Sequence, residues 1–219
     1  MISVVDIQEL EAKLKKHLSE KRYKHTLSVR NTALSYAKIF KDSGLDFLEK
    51  EKTFLDDDYL KKIEIAALLH DYAKEFSNDD QISLAKFYGL DIYEEDLDRP
   101  NLLHARVGAA LVEEEFDIYD HVILKAIKEH TFAGRSMSFA SKVIFLADMT
   151  EPGRDKKEPS VDLEMIRELV NKQQDLDAAL FLAVQKKIEY VLKERKMLHP
   201  LSLFSWNYLV KKSKVHANH

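Results

Sequence analysis

The sequence contains no cysteine, which limits the chemistry available to the chain. Disulfide bonds, thiolate metal ligands and a cysteine nucleophile are excluded. The absence fits a reducing compartment, so we expect a cytoplasmic protein. The first residues lack the apolar stretch of a secretory signal, and no apolar run approaches the roughly 20 residues that cross a bilayer. We therefore expect no membrane partner.

Turn residues and excess positive charge are also scarce. Only 5 glycines and 4 prolines occur among 219 residues. A β-sandwich or barrel needs many such residues at its turns, so their scarcity favours a helical protein. The chain has 34 basic and 38 acidic residues and a net charge of −4. Because no basic field is available to attract a polyanion such as DNA or RNA, we expect no nucleic-acid partner.

Apolar residues recur at helical spacing along most of the chain. The pattern predicts helices over residues 5–18, 20–41, 59–71, 79–89, from after Asn101 to about Phe116, 119–130 and 138–148. A loop with two prolines follows at 150–160. Residues 162–195 form a helical region broken near Gln174-Asp175, and a last helix contains Trp206. With no linker apparent, we predict one all-α domain over 1–219, with a core at about 20–150 and a C-terminal helical extension at about 160–212.

The dipeptide His70-Asp71 closes the most apolar of these helices. A charged aspartate there costs several kcal/mol unless it is paired or bound to a metal. The dipeptide alone does not decide between a metal site and a helix cap with a local ion pair. Its context favours a metal site, because other ligand-type residues lie at the ends or on the inner faces of apolar helices and would converge in a bundle. These residues are His25, His104, His130 and Asp148. Nitrogen and carboxylate donors together suit iron, manganese, zinc or nickel better than calcium.

Basic side chains accompany the candidate ligands. Arg22 precedes His25 by three residues, and Lys74 shares the face of His70 if that helix continues. Arg135 and Arg154 lie in loops after His130 and Asp148. Cations beside a metal suit a polyanionic ligand, although Arg135 is explained equally well as a surface charge. His199, before Pro200, is expected at a helix end, near free carbonyls.

Several segments resemble the HD superfamily of phosphohydrolases, and most closely the YqeK family of bacterial enzymes similar to symmetrical diadenosine tetraphosphate hydrolases. The segments are RYKHTLSV (22–29), AALLHDYAKE (66–75), LLHARVGA (102–109), AIKEHTFAGRSMS (126–138) and VIFLADMTEPGRD (143–155), with weaker likeness through DLDAALFLA (175–183) to HPLSLFSWNYL (199–209). The resemblance implies an all-α HD fold with a central metal site. It also implies that the metal is iron, mono- or dinuclear, with manganese as the alternative.

The resemblance implies a role for each matching residue. The metal ligands are His25, His70, Asp71 and Asp148. Lys74, His104 and His130 take catalytic roles, the two histidines lining a second metal position or the phosphate site. Nucleotide contacts come from Arg22, Lys74, His104, His130, Thr131 and Arg154. The implied reaction is hydrolysis of diadenosine tetraphosphate to two ADP by a metal-bound hydroxide.

Other functions stay open at this point. Metal ligands recognise phosphate rather than base, so a deoxynucleoside triphosphate, a cyclic nucleotide or an alarmone could be the substrate. A non-catalytic nucleotide sensor would keep the same pocket without turnover. A purely structural helical module would leave the ordered histidines unexplained. The sequence is compatible with a homodimer but does not require one.

Overall fold

A computed structural model describes residues 5–45, 47–49, 51–154 and 161–216, which are almost entirely helical. The α-helices are α1 (Ile7–His17), α2 (Glu20–Asp42), α3 (Asp57–Leu69), α4 (Asn78–Phe87), α5 (Glu94–Asp98), α6 (His104–Glu115), α7 (His121–Glu129), α8 (Phe139–Thr150), α9 (Val161–Asn171), α10 (Leu176–Lys193) and α11 (Pro200–His216). Short 3-10 turns cover Tyr72–Glu75, Pro100–Leu103 and Pro152–Arg154. The all-α prediction is confirmed.

Side-chain caps determine where several helices begin. A serine or aspartate precedes the helix and accepts a hydrogen bond from an amide of its first turn, which otherwise lacks a partner. The capping residues of this kind include Ser19, Asp56, Ser77, Asp120 and Ser138. The polar caps are local sequence signals, so the starts of these helices follow from the sequence.

Helix α3 is the central element and packs against α2, α7 and α8. Its inner residues, Ile63 and the run Ile65–Leu69, are fully buried. The following residue, His70, is fully buried too. The last turn of α3 is covered on all sides, and it carries the polar imidazole at the helix end into the interior.

The C-terminal helices lie against the same core. Helix α10 packs on α8, α9 and α11, and its buried residues Ala179, Leu180 and Ala183 join the main hydrophobic cluster. The division between a core at about 20–150 and an extension at about 160–212 stays a prediction. No helix in the described part of the chain is both long and apolar enough to cross a membrane.

The sequence analysis missed four local features. An antiparallel hairpin, β1 (Phe47–Leu48) and β2 (Thr53–Phe54), lies in the predicted connection before α3. Helix α5 and the 3-10 turn at Pro100–Leu103 are too short for a periodic pattern. Helix α3 also ends at Leu69, two residues before the predicted end at 71, and the His70 imidazole that follows it donates to the carbonyl of Ala67.

Replacing Ile63 by alanine is expected to lower the free energy of unfolding by about 2–5 kcal/mol, because the site is fully buried on α3 and would leave a cavity. Urea denaturation followed by circular dichroism measures the change. Leu97, whose surface is 56% exposed, provides the control, and Leu97→Ala is expected to shift stability by no more than about 0.5 kcal/mol. Equal effects of the two substitutions would contradict the central position of α3.

Candidate metal centre

Six of the predicted polar residues converge at one interior position. His25 comes from α2, His70 and Asp71 follow α3, and Asp148 lies in the last turn of α8. The other two are His104, which begins α6, and His130, which ends α7. Each of these apolar helices packs its body into the core, and their ends meet there. The polar residues at or near those ends are therefore brought together.

The carboxylate of Asp71 lies at the centre of the cluster. Its Oδ2 accepts a 2.5 Å hydrogen bond from Arg22 and lies 3.5 Å from Nε2 of His70. Its Oδ1 lies 3.2 Å from Nε2 of His104 and 3.5 Å from Nε2 of His130. The Asp71 side chain is only 5% exposed, so the hydrogen bond from Arg22 replaces part of the water that a charged carboxylate would otherwise bind.

Three histidines have their tautomer fixed by the backbone. Nδ1 of His70, His104 and His130 lies 2.7, 2.6 and 2.7 Å, respectively, from the carbonyl oxygen three residues earlier. A carbonyl only accepts, so Nδ1 carries the proton in each ring. In the neutral imidazoles Nε2 is then a free lone pair, which is the state that binds a metal.

His25 is oriented by a carboxylate that the sequence analysis did not find. Its Nδ1 donates to Oε1 of Glu151 at 3.1 Å, while its Nε2 faces Oδ1 of Asp148 at 3.1 Å. Glu151 is itself held by the Ser28 hydroxyl and the Gly153 amide. A Cβ atom at Gly153 would lie 2.8 Å from the Glu151 carboxylate, so glycine permits this close approach. The feature of the sequence that could have indicated this role is the position of Glu151, three residues after Asp148.

Burial and mutual attraction set the charges of the cluster. Burial lowers the pKa of His70 and of His104 to about 4, so both are neutral near pH 7. Burial alone would raise the pKa of Asp71, but the surrounding imidazoles hold it well below its usual value. Likewise His25 and Arg154 outweigh burial and hold the pKa of Asp148 well below its usual value. The site therefore presents the neutral imidazoles of His70 and His104 beside the charged carboxylates of Asp71 and Asp148.

These donors fit a divalent metal. His25, His70 and Asp148 form one group, and His70, Asp71 and His130 another, with the donor atoms of each group within 4.8 Å of one another. Nε2 of His25 and of His70 are buried and have no hydrogen-bond partner, and Nε2 of His104 and His130 face each other at 2.9 Å. Imidazole lone pairs repel one another and also repel nearby carboxylate oxygens. A cation bound between these groups would remove that repulsion.

Cationic side chains surround the cluster as predicted, with one exception. Nζ of Lys74 lies 3.1 Å from Nδ1 of His104, and Arg154 binds Oδ1 and the carbonyl oxygen of Asp148 at 2.5 and 2.8 Å. The position of Lys74 comes from the 3-10 turn rather than a continued α3. Arg135 is exposed instead, with its guanidinium 4.5 Å from the centre of the Phe204 ring.

Thr131 also reaches the cluster. Its hydroxyl lies 3.2 Å from Nε2 of His104 and 3.4 Å from Nε2 of His130. A hydroxyl can donate to one of these lone pairs and accept from a ligand, so it links the metal cluster to the space beside it.

A cavity of about 700 Å³ opens next to the metal cluster. Thr131, Asp148 and Arg154 line it from the cluster side, and Lys187 and His199 line it from the C-terminal helices. The volume is in the range of small-molecule sites. Lys187 was not singled out by the sequence analysis, because a lysine on an amphipathic helix gives no signal of its own.

His199 holds the start of α11 beside this cavity. It stacks on Phe132 with ring centroids 4.1 Å apart, and its Nε2 contacts the buried Asp96 at 3.2 Å. Its Nδ1 accepts from the amide of Leu201 at 3.1 Å. The imidazole thus caps the N-terminal end of a helix and meets a free amide, where the sequence analysis expected free carbonyls. Arg106 completes the buried group with a 2.6 Å bond to Asp96.

Comparison with known proteins agrees with this architecture. The family model described as HD domain matches residues 22–153. The symmetrical bis(5'-nucleosyl)-tetraphosphatase of Halalkalibacterium halodurans is 33% identical over 92% of this chain and 95% of that protein, and the one of Bacillus subtilis is 34% identical over 93% and 97%. A Clostridium acetobutylicum crystal structure described as a predicted HD superfamily hydrolase involved in NAD metabolism has a TM-score of 0.79 and 29% identity, covering 94% of this chain and 98% of that one.

The match across residues 22–153 defines the class as an HD-domain protein. The chain belongs to the HD-domain family, within the YqeK-type group that contains the relatives from H. halodurans and B. subtilis.

Replacing Glu151 by glutamine is expected to weaken metal binding by roughly 10- to 100-fold, because His25 would lose the carboxylate that fixes its proton and orientation. Competition with a chelator measures the metal dissociation constant. Glu114, on the surface of α6, provides the control as Glu114→Gln, which is expected to bind metal like the wild type. Unchanged affinity in Glu151→Gln would show that the contact with His25 does not support a metal ligand.

Proposed function

We propose that this protein is a metal-dependent phosphohydrolase that cleaves a dinucleoside tetraphosphate, such as diadenosine tetraphosphate, symmetrically into two nucleoside diphosphates. The observation that carries the proposal is the pair of adjoining sites: a buried donor cluster with free imidazole lone pairs, and a cation-lined cavity beside it. The first suits a metal and the second suits a nucleotide. The similarity to symmetrical tetraphosphatases over most of both chains supports the choice of substrate.

The metal would be held by His25, His70, Asp71 and Asp148. The two donor groups share His70, so they accommodate one cation or two neighbouring cations. We propose iron, with manganese as the alternative: mixed imidazole and carboxylate donors suit both, and the resemblance to the YqeK family favours iron. When bound, the cation supplies Lewis-acid chemistry: it lowers the pKa of water toward neutrality and polarises a phosphoryl oxygen.

The surrounding cations would bind and orient the phosphate chain. Arg22 and Arg154 hold the ligand carboxylates with one part of their guanidinium groups, which leaves other N–H groups for phosphoryl oxygens. Lys74 contacts no carboxylate within 4.0 Å in the described residues, so its ammonium is free to bind an oxygen of the substrate. Phosphoryl transfer depends mainly on such positioning and charge stabilisation.

The protonation states of the catalytic candidates indicate different roles for the histidines and for Lys74. His104 is neutral at pH 7 and its proton is held by the Asn101 carbonyl, so it can accept a hydrogen bond from water or offer a lone pair to a second cation. His130 has the same backbone bond. We therefore propose that both histidines contact water or a metal ion. Lys74, an ammonium whose pKa burial lowers, stabilises the charge on the departing diphosphate.

Product analysis tests the substrate and the bond that is cleaved. Purified protein supplied with ferrous or manganous ion is expected to convert diadenosine tetraphosphate into two equivalents of ADP, resolved by anion-exchange chromatography. Release of ATP and AMP would contradict symmetrical cleavage. Faster turnover of a deoxynucleoside triphosphate, a cyclic nucleotide or guanosine tetraphosphate would contradict the substrate. Metal and nucleotide binding without turnover would identify a sensor.

Asp71→Asn is expected to reduce kcat/KM by more than about 100-fold, since even loss of a residue that only orients a ligand costs 10- to 100-fold. The metal content should fall with it while the circular dichroism spectrum stays helical. Asp79, exposed on α4, gives the matched control as Asp79→Asn, with activity near the wild type. Full activity with full metal content in Asp71→Asn would overturn the assignment of the centre.

Cytoplasmic location and a homodimer stay predictions from the sequence.

A further inference from the structure

Lys187 occupies an unusual position on α10, outside the matched residues 22–153. Its Nζ donates to the carbonyl oxygen of Thr131 at 3.0 Å and lies 4.4 Å from the centre of the Phe145 ring. The side chain lines the cavity together with Asp148 and Arg154. A residue of the C-terminal helices thus presents an ammonium group to the space beside the metal cluster.

The ammonium of Lys187 has no carboxylate partner within the described part of the chain. Within the described ranges, no carboxylate lies within 4.0 Å of its Nζ, whereas the neighbouring Lys186 pairs with Asp162 and Glu189. Burial lowers the pKa of Lys187 to about 8, which reflects the cost of keeping this ammonium away from water. A partly buried cation that faces a cavity and has no carboxylate beside it would be stabilised by an anionic ligand in that cavity.

We propose that Lys187 binds a phosphoryl oxygen of the substrate's polyphosphate chain, as a positioning residue contributed by the C-terminal helices. The inference rests on the proposed function for its substrate, but the chemistry it requires is only a chain of linked phosphates. One N–H of the ammonium is held by the Thr131 carbonyl, which leaves two for the ligand. Arg154, on the same cavity wall, would bind the same polyphosphate chain.

The bond to the Thr131 carbonyl also allows a purely structural role, in which Lys187 only ties α10 to the end of α7. The two roles respond differently to substitution. Lys187→Met keeps the aliphatic stem over Phe145 and removes charge and donors. Lys187→Gln keeps an N–H donor for the carbonyl without the charge, and Lys187→Arg keeps the charge.

The test measures binding of inorganic tripolyphosphate and of ADP by calorimetry to the metal-loaded wild type and to the three variants. Lys187→Met and Lys187→Gln are each expected to weaken tripolyphosphate binding by about tenfold or more, as for loss of one charge-assisted hydrogen bond. Lys187→Arg should stay within about threefold of the wild type. Lys172, exposed after α9, is the control, and Lys172→Gln should bind like the wild type.

Melting temperatures establish that each variant is folded, and Lys187→Gln carries the test if Lys187→Met is not. Wild-type affinity in the uncharged variants would overturn the proposal. Equal losses in the arginine, methionine and glutamine variants would also overturn it, in favour of the structural role. Failure of the proposed function is seen separately: a wild type that binds tripolyphosphate through Lys187 but does not cleave diadenosine tetraphosphate would contradict the proposed reaction and leave the Lys187 contact in place.

Discussion

The buried carboxylate of Asp71 is the group on which the rest of the site depends. A charged carboxylate in an apolar interior costs several kcal/mol, and here the hydrogen bond from Arg22 offsets part of that cost, while His70, His104 and His130 bring their Nε2 lone pairs to within 3.5 Å of the same carboxylate. Each partner is fixed in turn: the histidines by backbone carbonyls and Arg22 by its place on α2. The consequence is a rigid set of lone pairs and negative charge directed at one point, which is the requirement of a metal site.

The two parts of the chain make different contributions to that site. The matched region at 22–153 supplies the metal donors and the first cations, because its helix ends meet in the core. The helices after it close the adjacent cavity, with α10 presenting Lys187 and the buried His199–Asp96 contact fixing the start of α11. The two contributions are therefore separable: the donor cluster suits a metal, and the cavity wall limits which ligand fits beside it.

Much of the centre could be predicted from the sequence, because its residue types and positions carry local signals. His70-Asp71 ends a strongly apolar run, and His104, His130 and Asp148 stand at the ends of others. Glu151 was not found, since its partner His25 is 126 residues away and only packing brings them together. Lys187 was missed for a related reason: its distinguishing property is that no carboxylate of the described residues pairs with it, and a sequence does not show which charges are paired. The hairpin and α5 are too short for periodicity to show.

By itself, the sequence determined an all-α protein, the approximate spans of its long helices and a set of candidate metal ligands in a fixed order. These follow from properties of short segments: apolar periodicity, capping residues and the scarcity of glycine and proline. Tertiary structure alone decided which nitrogen of each histidine is free, which carboxylate orients His25, and that Arg135 faces solvent while Lys187 faces the cavity. Hydrogen-bond direction and charge pairing depend on distances between atoms far apart in the chain, and those distances exist only once the helices have packed.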